Sequence, residues 1–295
     1  MAEGRSTAAL RLVSDRAGAG APVVAGPEAS RTRGELRLGF AVRAGGSRLI
    51  EGYQSGCLRA RVVNTAEGAA PSVVLINTGG GLAGGDRLRQ RIRWGPGAVG
   101  EVSSQAAEKV YRSIRGDTEV TTRLEVGLGA VAEWLPQETI LFDRARLTRR
   151  AEVDLDHGAS FLGVEAVILG RAASGETVRE AKLRDSWRIV REGRLIYADA
   201  QHLEGPVDRM MDRSAIGAGA RAMAVVMMVS DRAGALLGVA RDALSGAQGR
   251  AAASAWNGLL IARFLAPDGM TLRGDLIPLL VALRGGRPLP RVWTC

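Results

Sequence analysis

Apolar and polar residues alternate along three segments of the chain, at residues 36–42, 88–94 and 120–126. Successive side chains of a β-strand point to opposite faces, so this period of two predicts strands with one buried face. Further strands are predicted, between polar or glycine-bearing turns, at residues 58–63, 72–77, 100–104, 129–134, 147–155, 159–169 and 259–265, with a hairpin over 183–199 that turns at Glu192 and Gly193. So many short strands in succession predict a mainly β fold, built as a sandwich or as a coiled, β-helix-like stack of sheets.

Helical spacing appears only towards the end of the chain. Leucines recur there at intervals that place them on one face of a helix. They are Leu272, Leu276, Leu279, Leu280 and Leu283. We expect Thr271 to cap this helix and Pro278 to weaken it. A second helix is predicted over residues 234–245, where Gly246 is placed to end it. The pattern therefore predicts about two α-helices, both in the C-terminal part.

Residues 1–34 differ in composition from the rest of the chain. They are rich in Gly, Ala, Ser and Arg, contain Pro22 and Pro27, and include no aromatic residue. Such a segment lacks the side chains from which a core is built, so we expect a flexible N-terminal arm. We assign residues 35–295 to a single β-rich domain.

The chain is basic, with 40 Lys and Arg residues against 31 Asp and Glu residues and a formal net charge of +9. This excess favours acidic partners, either nucleic acid or an acidic protein face. Four arginines alternate along one predicted strand, at Arg87, Arg89, Arg91 and Arg93, without the interleaved aromatic residues on which single-stranded bases stack. A solvated sheet face explains this stripe better. A basic nucleic-acid-binding β protein remains the alternative function.

Residues that bind transition metals tightly are scarce. The sequence has two histidines, His157 and His202, and two distant cysteines, Cys57 and Cys295. We therefore expect no disulfide framework and no permanently bound metal or other cofactor. The chain shows no secretory signal, no apolar run of membrane-spanning length and no G-x-S-x-G nucleophile motif. We predict a cytoplasmic protein that is not an enzyme and binds neither membrane nor nucleic acid.

A glycine cluster, GGGLAGGD, occupies residues 79–86. Three of its glycines satisfy the dinucleotide-binding pattern G-x-G-x-x-G, but that pattern requires a helix to begin at the glycines, and here a strand pattern follows. The cluster is better explained as a tight turn in which glycines adopt positive φ angles. The candidate positions for this structural motif are Gly80, Gly81, Gly84 and Gly85.

Six segments together resemble the urease accessory protein D (UreD) family. They are GGGLAGGD at 79–86, QAAEKVYRS at 105–113, WLPQETILF at 134–142, FLGVE at 161–165, GR at 170–171 with SGE at 174–176, and LPRVW at 289–293. Their order and spacing agree with the family over residues 35–295. Two positions depart from it: Asn77 and Thr78 replace a proline-containing approach to the glycines, and Glu108 replaces a small polar residue.

The resemblance implies a mostly β, coiled-sheet fold and a non-catalytic role in urease maturation. A member of this family would bind apo-urease and the F accessory protein and, through it, the nickel-carrying GTPase G. It would assist nickel insertion into the urease active site, and the family is thought to contain an internal passage for the metal. Nickel would then be cargo in transit.

Three acidic residues are candidates for contact with nickel in transit: Asp86, Glu138 and Glu165. A passage must release its cargo, and carboxylates hold nickel less tightly than imidazole or thiolate groups. Structural roles remain open for each. Asp86 could equally cap the glycine turn, and Glu138 and Glu165 could equally be salt-bridged to buried arginines.

Overall fold

The structure, a computed structural model, describes residues 13–14, 31–63, 70–171 and 174–294. Strands dominate these ranges. They are β1 (Val13–Ser14), β2 (Arg33–Arg43), β3 (Gly46–Gly56), β4 (Leu58–Val63), β5 (Ser72–Asn77), β6 (Arg87–Trp94), β7 (Val99–Ser104), β8 (Glu108–Val110), β9 (Thr118–Val126), β10 (Val131–Leu135), β11 (Thr139–Leu141), β12 (Arg146–Leu155), β13 (Ser160–Leu169), β14 (Ala181–Arg191), β15 (Arg194–Gly205), β16 (Ala222–Val229), β17 (Arg250–Trp256) and β18 (Leu259–Ala266). The helices are α1 (Val207–Asp212), α2 (Leu237–Leu244), α3 (Gly269–Leu283) and a 3-10 helix at Arg291–Trp293. The mainly β prediction is confirmed.

Two stacked sheets form the body of the molecule. Sheet A has the order β1-β3-β2-β6-β9-β12-β14-β15, and sheet B has the order β17-β18-β16-β13-β10-β7-β5-β4, with β8 and β11 attached beside β13. From β5 to β14 the chain passes back and forth between the sheets, and neighbouring strands of this stretch are parallel. The chain therefore winds as a coil, as the β-helix-like alternative predicted.

The space between the sheets is filled largely by apolar side chains from both. Alternation on sheet A directs Ile92, Leu124 and Val153 inward, where they meet residues of sheet B such as Val102 and Phe161 in one buried cluster. Each of these side chains is at most 2% exposed. Burial of such aliphatic and aromatic side chains stabilises a fold by about 1.5–3 kcal/mol per residue relative to exposure.

The outer faces of the two sheets differ. Helices α2 and α3 and the 3-10 helix cover sheet B and form a second apolar cluster with it, in which Leu272, Leu276 and Trp293 are almost fully buried. The outer face of sheet A carries no such layer within the described residues. Its outward residues on β6 are the four arginines of the alternating stripe, and all four are exposed.

The helices partly correct the sequence predictions. Asp268, not Thr271, is the N-cap of α3, because its carboxylate accepts a hydrogen bond from the Thr271 amide at 2.7 Å. The helix continues through Pro278, since buried leucines on both sides of the proline hold it against sheet B and offset a propensity cost of about 3 kcal/mol. Helix α2 begins at Leu237 rather than at residue 234, and the short α1 was not predicted.

The hairpin prediction is confirmed: β14 and β15 are antiparallel and turn at Glu192 and Gly193, whose φ angles are 50° and 74°. The arm prediction for residues 1–34 falls mostly outside the described residues. Within them, Val13–Ser14 pairs in parallel with β3, and β2 already begins at Arg33, two residues before the predicted domain boundary. None of the helices in the described ranges combines the length and apolar character needed to cross a membrane.

Candidate functional site

Two breaks in neighbouring strands open a gap on sheet B. Residues 105–107 separate β7 from β8, and residues 136–138 separate β10 from β11. Strand β13 runs unbroken past the second gap, pairing with β10 at its start and with β11 at its end. Pro136 cannot donate a ladder hydrogen bond, which explains why β10 stops there. The gap gives access to the space between the sheets.

A cavity of about 230 Å³ extends inward from this gap. Sheet A contributes its inner side chains, the glycine turn contributes its backbone, and the two strand breaks contribute the rim. The residues that matter chemically are Asn77, Gly80, Gly81, Gln90, Gln105, Glu108, Thr122, Gln137, Thr139, Arg149 and Glu165. Two carboxylates, those of Glu108 and Glu165, therefore face one cavity.

Arg149 organises the deep part of the cavity. It donates hydrogen bonds to Asp185 from Nε at 3.1 Å and from Nη2 at 2.6 Å, donates to Thr139 at 2.9 Å, and forms an ion pair with Glu165. The side chains of Arg149, Glu165 and Asp185 are 8%, 8% and 4% exposed. Burial raises the pKa of Glu165 to about 8, although Arg149 opposes the shift. Despite burial, Asp185 and Glu165 hold the pKa of Arg149 above its usual value, so it stays charged.

Glu108 lies at the rim and has a different environment. The Asn77 amide donates to both of its carboxylate oxygens at 3.1 Å, and no arginine or lysine within the described residues forms an ion pair with it. Burial raises the pKa of Glu108 to about 7, against the effects of Asn77 and Lys109. The Glu108 backbone amide donates to the Glu138 carbonyl at 2.8 Å, so the two sides of the gap are joined beside this carboxylate.

The glycine turn lies against the same rim. Gly80, Gly81 and Gly85 have φ angles of 73°, 142° and 92°, which confirms the predicted positive φ at these positions. Gly84 does not share it, but a Cβ there would collide with the Ser113 side chain and lie 2.7 Å from the Arg115 carbonyl oxygen. The turn thus needs glycine at three positions for their positive φ angles and at the fourth because a side chain would not fit.

Asp86 closes this turn. Its Oδ1 accepts from the Thr32 amide at 2.8 Å and its Oδ2 from the Ala83 amide at 2.7 Å. The residue is 5% exposed and does not line the cavity. Both oxygens therefore already serve the backbone, as the capping alternative anticipated. Its role in nickel transit stays a prediction.

Glu138 faces away from the cavity. It forms an ion pair with Arg273 of α3 at 2.9 Å, and the same guanidinium donates to Gln137 at 2.6 Å and to the Trp293 carbonyl at 2.6 Å. Asp86, Glu138 and Glu165 thus belong to three separate hydrogen-bond networks. No group of three or more His, Cys, Asp or Glu residues in the described ranges is arranged to hold a metal ion.

Comparison with known proteins assigns the chain to a family. The family model described as "UreD urease accessory protein" matches residues 32–294. The chain belongs to the UreD family. The match covers the coiled sheets, the cavity and the helical layer, and it confirms the family resemblance of the sequence motifs. Membership supports a role in urease maturation.

Individual UreD proteins are similar over nearly their whole length. The urease accessory protein UreD of Rhizobium etli is 47% identical over 263 residues, which cover 89% of this chain and 95% of the relative. That of Rhizobium leguminosarum bv. viciae is 45% identical over 271 residues, covering 92% and 98%. That of Xanthobacter autotrophicus is 47% identical over 263 residues, covering 89% and 90%. All three relatives are named as accessory proteins.

Sequence reasoning missed two cavity residues of this UreD chain. Glu108 is noted only as a departure from the family pattern, and Arg149 is not among the candidate site residues. The signal for Arg149 lay in the alternation of β12, where it falls on the same side as Leu147 and Ala151, both almost fully buried. No local pattern marks Glu108, whose carboxylate accepts hydrogen bonds from Asn77, 31 residues earlier in the chain.

Proposed function

We propose that this chain is a non-catalytic scaffold of urease maturation, which binds apo-urease together with the F and G accessory proteins and passes nickel to the urease active site through the cavity between its sheets. Family membership supports the maturation role, and the naming of relatives as accessory proteins supports the absence of catalysis. The proposed location is the cytoplasm. No resident cofactor is required, since nickel is the cargo.

The observation that carries the passage is a cavity lined by two carboxylates and several neutral oxygen donors. Oxygen ligands bind nickel more weakly than imidazole or thiolate, and weak binding permits release. Glu108 at the rim has no basic partner in the described residues, so its carboxylate is available to a cation that enters. Gln90 and Thr122, hydrogen-bonded to each other at 3.0 Å, lie further in.

Charge balance around Arg149 is compatible with a cation in the cavity. One guanidinium is matched there by two carboxylates, Glu165 and Asp185. Asp185 binds Arg149 through two hydrogen bonds and compensates its charge, which leaves the Glu165 carboxyl as the group that can respond to an incoming metal. Among the predicted transit residues, the proposal therefore rests on Glu165, joined by Glu108. Asp86 and Glu138 receive less support.

Blocking the cavity tests this function. Ala106 lies at the rim, and Ala106→Trp would fill the opening, whereas Ala252→Trp places the same side chain on the exposed edge strand β17. Each variant would be co-expressed with urease and the other accessory proteins in nickel-limited cells. We expect both variants to co-purify with apo-urease, and only Ala106→Trp to yield urease with reduced nickel content. Full nickel loading with Ala106→Trp would refute the passage, and failure of the unaltered chain to co-purify with apo-urease would refute the scaffold.

A further inference from the structure

The outer face of sheet A presents many exposed arginines and has no covering layer in the described residues. We call this surface the arginine face, defined by the outward side chains of β2, β6, β9, β12 and β14. Its arginines include Arg37, Arg87, Arg89, Arg91, Arg93, Arg123, Arg150 and Arg188. The opposite outer face, on sheet B, is covered by α2, α3 and the 3-10 helix. One face is closed by the chain itself, and the other is open in the part of the chain that the structure describes.

Strand register sets like charges side by side on the arginine face. Arg37 lies directly opposite Arg91, and Arg91 lies directly opposite Arg123. Like charges at directly opposed positions of a sheet are destabilising. Glu125 relieves part of this repulsion, because it bonds both Arg91 at 2.8 Å and Arg123 at 3.1 Å. Because these arginines repel one another in the free protein, binding of an external anion would lower the electrostatic energy of the face.

Several arginines of the face have no partner among the described residues. The side chains of Arg89, Arg93, Arg150 and Arg188 make no ion pair or hydrogen bond with any described residue. Arg93 also borders a hollow of about 160 Å³ whose walls include Arg37, Arg91 and Glu51. Guanidinium groups around a hollow suit a carboxylate, which they can bind through paired hydrogen bonds.

The pattern of charges fits a folded protein better than a nucleic acid. Carboxylates stand among the arginines, as in the exposed pair of Arg87 with Glu119 at 3.3 Å and that of Arg123 with Asp154 at 3.3 Å. A phosphate backbone would be repelled by these acids, whereas a protein surface can carry both signs in a matching arrangement. The Tyr53 ring lies beneath the Arg37 guanidinium, 4.2 Å from it, and is therefore covered rather than free to stack on a base.

We propose that the arginine face is the docking surface for an acidic surface of apo-urease. The inference rests on the proposed scaffold function and adds the surface through which it acts. The five strands of the face have eight to eleven residues each. At a spacing of about 4.8 Å and a rise of about 3.3 Å per residue, they offer an area on the order of 700–800 Å². That is about the area that one partner contributes to an interface of standard size. Opposite charges would accelerate encounter and fix the orientation of the complex.

A charge-reversal variant tests the proposal without breaking internal ion pairs. The face variant is Arg89→Glu, Arg93→Glu, Arg150→Glu and Arg188→Glu. The matched control reverses four exposed arginines on α1, α2, β17 and the segment before α2, and is Arg209→Glu, Arg232→Glu, Arg241→Glu and Arg250→Glu. Both variants change the net charge equally. Circular dichroism and thermal unfolding would establish that each folds as the unaltered chain does.

Affinity for purified apo-urease would be measured at low and at physiological salt. We expect the face variant to bind at least about 10-fold more weakly than the unaltered chain and to lose most of the salt dependence, with the control within about twofold. Unchanged affinity of the face variant, or an equal loss in both variants, would overturn the proposal. So would tighter binding of the unaltered chain to duplex DNA than to apo-urease at the same salt. If the unaltered chain does not bind apo-urease at all, the scaffold function itself fails.

Discussion

Four neighbouring strands of sheet A, β6, β9, β12 and β14, place their inward side chains in successive rows. One row consists of Ile92, Leu124, Val153 and Ile189, in register and at most 1% exposed. Another row, on the same face of the same strands, consists of Leu88, Val120, Arg149 and Asp185, and the first three of these line the cavity. We call the first the apolar row and the second the polar row, because the second ends in a buried ion pair.

The difference separates what stabilises the fold from what serves its function. The apolar row gains free energy from burial alone. The polar row, together with Glu165 of β13, must first desolvate a guanidinium and two carboxylates, and a buried ion pair is often no more stabilising than apolar residues of similar volume. Replacing the cluster by leucines would give a simpler core. Its presence beside a cavity is therefore compatible with the proposed passage.

Removing the charge of Arg149 should have the largest effect. Arg149→Met retains an extended side chain but leaves Glu165 and Asp185 buried without a counter-ion, so we expect a loss of about 3–5 kcal/mol in the free energy of unfolding. Urea denaturation measures it. The matched triple variant, Arg149→Met with Glu165→Gln and Asp185→Asn, should recover most of the loss because no uncompensated charge remains. If Arg149→Met alone lost less than about 1 kcal/mol in the free energy of unfolding, Glu165 and Asp185 would not need Arg149 as their counter-ion.

Truncation in the apolar row should cost somewhat less and affect a different property. Leu124→Ala removes buried methyl groups and leaves a void, so we expect a loss of about 3 kcal/mol in unfolding free energy. At temperatures where the variant remains folded, urease from co-expressing cells should still contain its full nickel, because Leu124 does not line the cavity. Reduced nickel in urease under those conditions would mean that the apolar row also affects nickel delivery, and that its role is not limited to stability.

The sequence allowed most strands of the coil to be predicted, because those of sheet A alternate between core and solvent, and the apolar runs of sheet B lie between polar or glycine-bearing turns. Strand β16 was missed since it is buried on both faces, between sheet A and the helical layer, and its residues AMAVVMMV show no alternation. Strands β8 and β11 were missed because each has only three residues. Strand breaks at 105–107 and 136–138 create the cavity. Pro136 marks the end of one strand in the sequence, but no local pattern shows that the two breaks lie side by side.

The site was harder to predict than the fold for a physical reason. Glu165 was singled out from the sequence, but its partner Arg149 lies on the opposite sheet, and Asp185 is 36 residues beyond Arg149 in sequence. Asp86 and Glu138 also are buried acids, yet their oxygens serve backbone amides and Arg273. Residue type and neighbours in sequence do not distinguish these three environments. Only the register of strands that meet across the core does so.

The smallest predicted effect is the contribution of Glu108 to the pH dependence of stability. It contrasts Glu165, which is paired with Arg149, with Glu108, which forms no ion pair with any described residue. Burial raises the pKa of Glu108 from 4.5 to about 7. Between these values the folded chain retains a proton that the unfolded chain has released, so stability falls as pH rises through this window and is level above it.

Glu108→Gln should remove this slope, because an amide does not titrate. The free energy of unfolding would be measured by urea at about pH 5 and about pH 8 for both proteins. We expect the unaltered chain to lose about 1 kcal/mol more than the variant between these pH values, less than a fully buried carboxylate would lose, because the rim admits water. Glu165 titrates in both proteins, so its contribution cancels in the difference. Equal slopes in the two proteins would show that Glu108 is as well solvated as a surface carboxylate. The carboxylate that the rim of the cavity offers to an entering cation would then be as hydrated as one in bulk solvent.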